Sequence, residues 1–537
     1  MTWPRRAATA CLLALVAIAL PLSNARAERL EQRPAVQGST GDGKELGRLF
    51  DDLFGDSNSG PVLKAYEPTG YDYMQILPER QRSLGIFRSR GYGLVGEPAL
   101  NAYVNRVLQR LLEHAPEKPI PAQAYVVADR TFGADAAPDG ALFVNLGMVR
   151  DLESEDELAF TLAHELSHVI LRHHGSDWYV HAERRALVGM KLAGELVGQV
   201  QQLAGSSLPG SRDLQTAILI GTLVYEFSDI AVAPFFTREE EDQADIFGLD
   251  LMIAAGYNMT AATKVLEKID AWEKQQAANK PVKSEAEREA EMTEAFRTRG
   301  LAGAIEAMTS ALGDAFRDVK DELKTEHYPA AERNATVQNY MLRHYLKDVP
   351  PPVTELAWNE KSSDAASIRS LFANYDAADN ARTALAENKI GKAEAEASKA
   401  VSGHTKHDAF TRLAFYEVRS SQGNKALARR NLEIALESPE PSYMLYRTLL
   451  DDAMARGDWG EALSSVEAAR SRLADTPLLL PYRIAIYRKT GRQNETTPLL
   501  IECSADHPEL EEDCQLAAGQ SYTPASGLLP AAGFVPQ

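Results

Sequence analysis

The sequence predicts a mainly helical protein: an α+β domain with a small edge-strand sheet, followed by an α-solenoid of paired helices. Three observations carry this. The stretch from Leu158 to Leu171 is apolar at helical spacing around His164-Glu165-Leu166-Ser167-His168. Two short runs, one from Tyr125 and one over Ala141 to Asn145, have strand character about the turn signal Pro138-Asp139-Gly140. Gly391, Gly423, Gly457 and Gly491 recur at intervals of 32, 34 and 34 residues.

In chain order, residues 1–27 have the parts of a secretory signal: Arg5 and Arg6, an apolar run from Ala7 to Leu22, and Ala25-Arg26-Ala27 before Glu28. Cleavage is expected after Ala27, with export to the periplasm. The apolar run is too short for a membrane span. Cys11 lacks the Leu three places earlier that a lipoprotein signal carries. Residues 28–78 read as a lead-in or pro-segment with an amphipathic patch (Leu46, Leu49, Phe50, Leu53, Phe54). The α+β domain is expected over 79–350. Within it, 183–235 is an apolar helical cover whose charge-free run is too short to cross a bilayer. Residues 274–325 are a charged, Ala-rich helical insertion. Repeats fill 364–520, and 521–537 is a flexible tail.

On a helix, residues four apart share a face, so His164 and His168 can present their imidazoles to one metal ion. Glu165 sits at the rim of that face, placed for a general base rather than a ligand. This is the zincin arrangement. His173 and His174 fall off the ligand face and read as structural. A tetrahedral site needs a third ligand from another helix. Thr237-Arg238-Glu239-Glu240-Glu241-Asp242-Gln243-Ala244-Asp245 opens an apolar helix that ends at Gly256. Glu239 and Glu240 suit an acidic first turn favoured by the helix dipole. Glu241 and Asp245 share a face, so Glu241 can bind the metal while Asp245 accepts the N–H of a ligating His.

The pairing of His-Glu-Leu-Ser-His with Thr-Arg-x-x-Glu-x-x-Ala-Asp, followed by Ala255-Gly256-Tyr257-Asn258, resembles the gluzincin metallopeptidase family that includes HtpX and BepA. The resemblance covers roughly residues 80–345. It implies one Zn²⁺ per chain and maps the family's third ligand onto Glu241. The family's downstream His-Pro-x-x-x-x-Arg element corresponds to His327-Tyr328-Pro329-Ala330-Ala331-Glu332-Arg333, with the Pro displaced by one. His327 is the expected oxyanion donor; by the same resemblance it could instead take the open zinc position and hold the enzyme latent. The family's edge-strand run is replaced here by Phe132-Gly-Ala-Asp-Ala-Ala-Pro-Asp-Gly140. The edge is expected beside the metal, to bind substrate backbone by strand addition.

Beyond 364, Ala455-Arg-Gly-Asp-Trp-Gly-Glu-Ala462 with Ala469, and Ala428 and Ala435 after Gly423, resemble tetratricopeptide repeats. The unit at Gly391 is degenerate, and Pro508 falls where such repeats end. Cys503 takes a small-residue position in this register. Two thiols eleven apart in an exported chain pair, so Cys503–Cys514 should tie the last repeat to a capping helix. Stacked repeats offer a face to peptides or partner proteins.

The formal charge is −19 and becomes three more negative when Arg5, Arg6 and Arg26 leave. That makes the chain a poor candidate for nucleic acid or anionic lipid. The expected function is a periplasmic zinc endopeptidase. The resemblance implies substrates among misfolded or misassembled envelope proteins, outer-membrane ones included, and recruitment through the repeats, with the outer-membrane assembly machinery a candidate partner. The alternative is a chaperone or scaffold whose repeats bind clients while the metal site is silent.

Overall fold

A computed structural model of the chain describes residues 60–187 apart from 176 and 185, 236–278, 294, and 329–520. The expected signal peptide, residues 28–59 of the lead-in, residues 188–235 of the apolar cover, nearly all of the insertion past Ala278, His327 and the tail lie outside the described residues.

The chain enters through α1 (Val62–Ala65), α2 (Arg80–Arg88) and α3 (Pro98–Leu112). Residues 60–78, expected to be lead-in, are part of the core: Val62, Tyr66 and Tyr73 are buried. The Val62 N–H donates to the Tyr340 hydroxyl (2.8 Å) and the Leu63 N–H to Asp250 Oδ2 (3.0 Å). In α3, Leu100, Val104, Leu108 and Leu111 repeat at three and four residues and turn one apolar face inward.

A three-stranded sheet follows: β1 (Gln123–Val127), β2 (Ala134–Ala136) and β3 (Ala141–Asn145), in the order β1-β3-β2. The hairpin about Pro138-Asp139-Gly140 joins β2 to β3, while β1 lies parallel to β3, Gln123 opposite Ala141. Gly140 has φ +83°, a backbone that favours glycine. Asp139 holds the turn, accepting from the Ala141 N–H (3.0 Å), the Tyr179 hydroxyl (2.9 Å), Arg80 (2.5 Å) and Ser83. The outer side of β1 is taken by residues 93–95. Among the described residues, the sheet's other edge is β2.

After α4 (Leu146–Asp151), helix α5 (Glu155–Ile170) runs through the middle of the domain. Ser154 caps it by accepting from the Glu157 N–H, and three acidic residues in its first turn suit the helix dipole. All of its residues except Glu155 and His164 are buried. Helix α6 (Arg238–Ala254) starts with a capping box between Thr237 and Glu240 and packs along α5. Helices α7 (Thr260–Ala278) and α8 (Ala330–His344) complete this part.

The remainder is an array of helix pairs: α9 (Ser363–Ala386) with α10 (Ile390–Ala400), α11 (Ala409–Ser421) with α12 (Lys425–Ala435), α13 (Tyr443–Ala455) with α14 (Trp459–Arg472), and α15 (Leu480–Lys489) with α16 (Thr496–Asp506), closed by α17 (Glu511–Ala517). Gly423, Gly457 and Gly491 have positive φ at the turns within three pairs. In the first pair Gly391 lies inside α10; the left-handed residue is Asn388, at φ +57°. The expected first glycine is thus three residues off register, and Asn, which tolerates this region best after Gly, does its work. Ala393, Ala400, Ala428, Ala435, Ala462 and Ala469 are buried where paired helices touch.

The two parts meet at residues 85–96. Tyr92 is buried, edge-on to Phe410 (5.0 Å), with the Arg382 guanidinium 4.4 Å from its ring centre. Arg88 pairs with Glu440 at 2.9 Å. Backbones approach closely here: a Cβ on Gly96 would stand 2.7 Å from Pro439, and one on Gly85 2.8 Å from the Leu473 carbonyl.

Candidate metal centre

Helices α5 and α6 bring His164, His168 and Glu241 together, with one ligand atom of each within 4.8 Å of the others. The two Nε2 atoms are 3.1 Å apart, and His164 Nε2 is 3.7 Å from Glu241 Oε2. Ligands of a tetrahedral zinc at about 2.0–2.1 Å stand about 3.3 Å from one another. The donor set and its spacing therefore fit zinc.

This spacing depends on Gly248. A Cβ there would lie 2.9 Å from His164 N and 3.0 Å from the Ala163 carbonyl carbon. The missing side chain lets α6 lie against α5 at the turn that carries His164.

Each imidazole is held from behind. His164 Nδ1 lies 2.8 Å from Asp245 Oδ1. Arg333, on α8, forks Asp245 with Nε (2.8 Å) and Nη2 (2.7 Å), and its Nη1 reaches Glu241 Oε2 at 2.8 Å. Burial alone would raise the Asp245 carboxyl, but the Arg333 and His164 contacts hold it down at about 2. For Arg333, burial works against the charge and the two carboxylates win, raising it. Arg333 offsets one of the two negative charges that Glu241 and Asp245 carry, which leaves the pair net negative and suited to a cation.

His168 Nε2 faces the triad and its Nδ1 lies 2.9 Å from His173 Nδ1. Its ring stacks on buried Phe236 at 3.7 Å. Burial pushes His173 down to about 3 and His168 well below its usual range, so both rings stay neutral. Glu165 is 6% exposed, and burial pushes its carboxyl up to about 8 in the metal-free site, helped by Asp135 and Glu241 against His164.

Edge strand β2 packs beside α5. Gly133 and Ala137 bond to β3, so by alternation Ala134 and Ala136 turn their backbone groups outward. His174 Nε2 donates to the carbonyl of fully buried Ala136 at 2.9 Å, which leaves part-exposed Ala134 as the accessible end of the edge.

Of the residues singled out in the sequence, His164, Glu165, His168, Glu241, Asp245 and Arg333 converge here. Cys503 and Cys514 are joined in a disulfide in the terminal helices, away from this site. His327 lies outside the described residues. The edge expected within residues 132–140 is β2, whereas sequence reasoning passed over Gln243 and Gly248 and took His173 for structural only. Gln243, two residues past Glu241, and Gly248, three past Asp245, had only their offsets from the acidic motif as a signal.

Residues 98–339 match Peptidase family M48. Over 176 residues, a third of this chain, the sequence is 26% identical to the beta-barrel assembly-enhancing protease of Escherichia coli (strain K12), covering 34% of that protein. It is 28% identical to the protein of that name from Yersinia pestis over the same length and the same 34% of the relative. It is 32% identical over 173 residues to the mitochondrial metalloendopeptidase OMA1 of Schizosaccharomyces pombe, covering 32% of this chain and 45% of that protein. The matched stretch thus spans a third to under half of each relative. The similarity to Peptidase family M48 thus runs across the stretch that holds the two histidines one helical turn apart and the glutamate from the facing helix.

Proposed function

We propose that this chain is a zinc endopeptidase of the periplasm that cleaves misfolded or misassembled envelope proteins. The single observation that carries the chemistry is the His164–His168–Glu241 cluster with Glu165 beside it. When bound, the ion supplies Lewis-acid polarisation of the scissile carbonyl and a water acidic enough to react near neutral pH. Glu165 takes a proton from water and later delivers it to the leaving amine. Its buried carboxyl, at about 8 before any cation is present, is suited to carrying a proton in both directions. Ala134, the part-exposed end of β2, aligns the substrate backbone. His327 is the proposed oxyanion donor.

The substrate class rests on the similarity to beta-barrel assembly-enhancing proteases, and the location on the signal-like residues 1–27 together with that similarity. Among the described residues no helix is long and apolar enough to cross a membrane. The helix pairs are proposed to be tetratricopeptide-like units that recruit substrate or partner, supported by the turns at Gly423, Gly457 and Gly491 and the buried alanines between helices.

The test is Glu165→Gln in the full chain. Cleavage of casein or an unfolded outer-membrane protein should fall by about 10²–10⁴-fold, with zinc content unchanged. Persistent cleavage would remove Glu165 from the chemistry. Full function of the variant in cells would favour the chaperone reading.

A further inference from the structure

The two ligating imidazoles are backed differently. His164 has a carboxylate directly behind it; His168 has an imidazole and an amide behind it, in a chain that ends on a carboxylate at the surface. Its members are His173, Gln243 and Glu239, with His168 Nδ1 to His173 Nδ1 at 2.9 Å, His173 Nε2 to Gln243 Oε1 at 3.1 Å, and Gln243 Nε2 to Glu239 Oε1 at 3.1 Å.

Only one arrangement of protons satisfies all three contacts. With His168 Nε2 offering its lone pair to a metal, Nδ1 must carry the hydrogen and donate it to His173 Nδ1. His173 then carries its own hydrogen on Nε2 and donates to the Gln243 carbonyl oxygen. Gln243 in turn donates through its NH₂ to the exposed Glu239 carboxylate. Each group is used in the one role left to it.

The backbone is bent to make this chain. Helix α5 ends in a Schellman turn: the Arg172 N–H bonds to the Val169 carbonyl (3.2 Å) and the His173 N–H to the His168 carbonyl (3.1 Å). The left-handed residue in that turn is Arg172, at φ +55°, a conformation that any residue with a Cβ resists. It is this reversal that carries His173 back beneath His168, where the helix continued straight would take it away. Gln243 comes from α6, two residues beyond Glu241, and meets His173 Nε2 from that helix. The helix that supplies the third ligand thus also fixes the second one.

We infer that His173 and Gln243 are positioning residues for the metal centre, holding His168 in the tautomer and ring orientation that presents Nε2. The inference rests on the metal-site reading above. It makes the functional motif of this chain His-Glu-x-x-His-x-x-x-x-His, paired with Glu-x-Gln-x-Asp over Glu241, Gln243 and Asp245.

The experiment measures zinc affinity of the full chain by chelator competition, together with the visible spectrum of the cobalt-substituted protein. His173→Ala and Gln243→Leu should each weaken zinc binding by about 10–100-fold and alter the cobalt spectrum. His173→Asn places an acceptor oxygen where Nδ1 was, and Gln243→Glu keeps an acceptor for Nε2. Both should stay within about threefold of the parent. Melting of the metal-free protein serves as the folding control, and should be alike for the parent and His173→Asn. Parental affinity in both His173→Ala and Gln243→Leu would overturn the inference. So would a His173→Asn protein as weak as His173→Ala, since that outcome assigns His173 to packing. A parent protein that takes up no zinc overturns the metal-site reading itself, which separates the two failures.

Discussion

Arg333 Nη1 lies 2.8 Å from Glu241 Oε2, on the same carboxylate that completes the metal-binding triad. The guanidinium therefore steadies a ligand directly, besides holding Asp245 behind His164.

That arrangement predicts a stability effect that depends on metal. Arg333→Ala leaves two buried carboxylates without their cation, at a cost of about 3–5 kcal/mol to the metal-free protein. Zinc should recover part of this loss. Urea unfolding with and without chelator measures both. Arg333→Lys should restore little, because an ammonium cannot fork Asp245 and reach Glu241 together.

Gly248→Ala should force α6 away from α5 at His164, where the added methyl has backbone on the other side. The expected result is about 1–3 kcal/mol of destabilisation and a zinc affinity at least about tenfold weaker. Gly460→Ala is the control. That glycine is also helical, but its Cβ would meet only the Asp458 side chain, at 3.7 Å. Equal effects of the two substitutions would refute a role for the close approach.

Asp250 links three segments, accepting from the Leu63 N–H, the Tyr340 hydroxyl (2.9 Å) and the Tyr345 hydroxyl (2.7 Å). Burial pushes its carboxyl up to about 6, against the hydrogen bonds that lower it. A raised carboxyl gives stability that is present below about pH 4 and lost as pH climbs through 6. Metal-free parent protein should therefore lose up to about 3 kcal/mol relative to Asp250→Asn between pH 4 and 7. Unfolding of both at pH 4.5, 5.5 and 7 checks it; a difference that does not change with pH contradicts the assignment.

Cys503 and Cys514 close an eleven-residue separation at the last helix pair. Cys503 stands 34 residues after Ala469, which itself stands 34 after Ala435, so Ala fits the position sterically. Replacing both cysteines by Ala isolates the covalent effect, which should be about 3 kcal/mol. Thiol titration of the denatured, unreduced protein should find neither cysteine free.

What could be read from the sequence was whatever depends on position along a single helix. His164 and His168, or Glu241 and Asp245, share a face by spacing alone. His173 needed the left-handed turn at Arg172, and Gly248 needed the distance between two helices; neither leaves a local pattern. Strand β2, Ala-Asp-Ala, has poor strand propensity and exists because β3 offers it a partner. Gly391 misled for a related reason: the turn required a left-handed residue, and Asn388 supplied one three places earlier.

Tyr92 has a last consequence. It belongs to the segment leading into the sheet, yet its ring is covered by Phe410 and Arg382 from the helix pairs. A chain cut after the first part would open that seat to water, together with the crevices that admit Gly85 and Gly96. The metal-binding part and the helix pairs are thus unequal halves of one cooperative fold, and neither should be as stable when expressed alone.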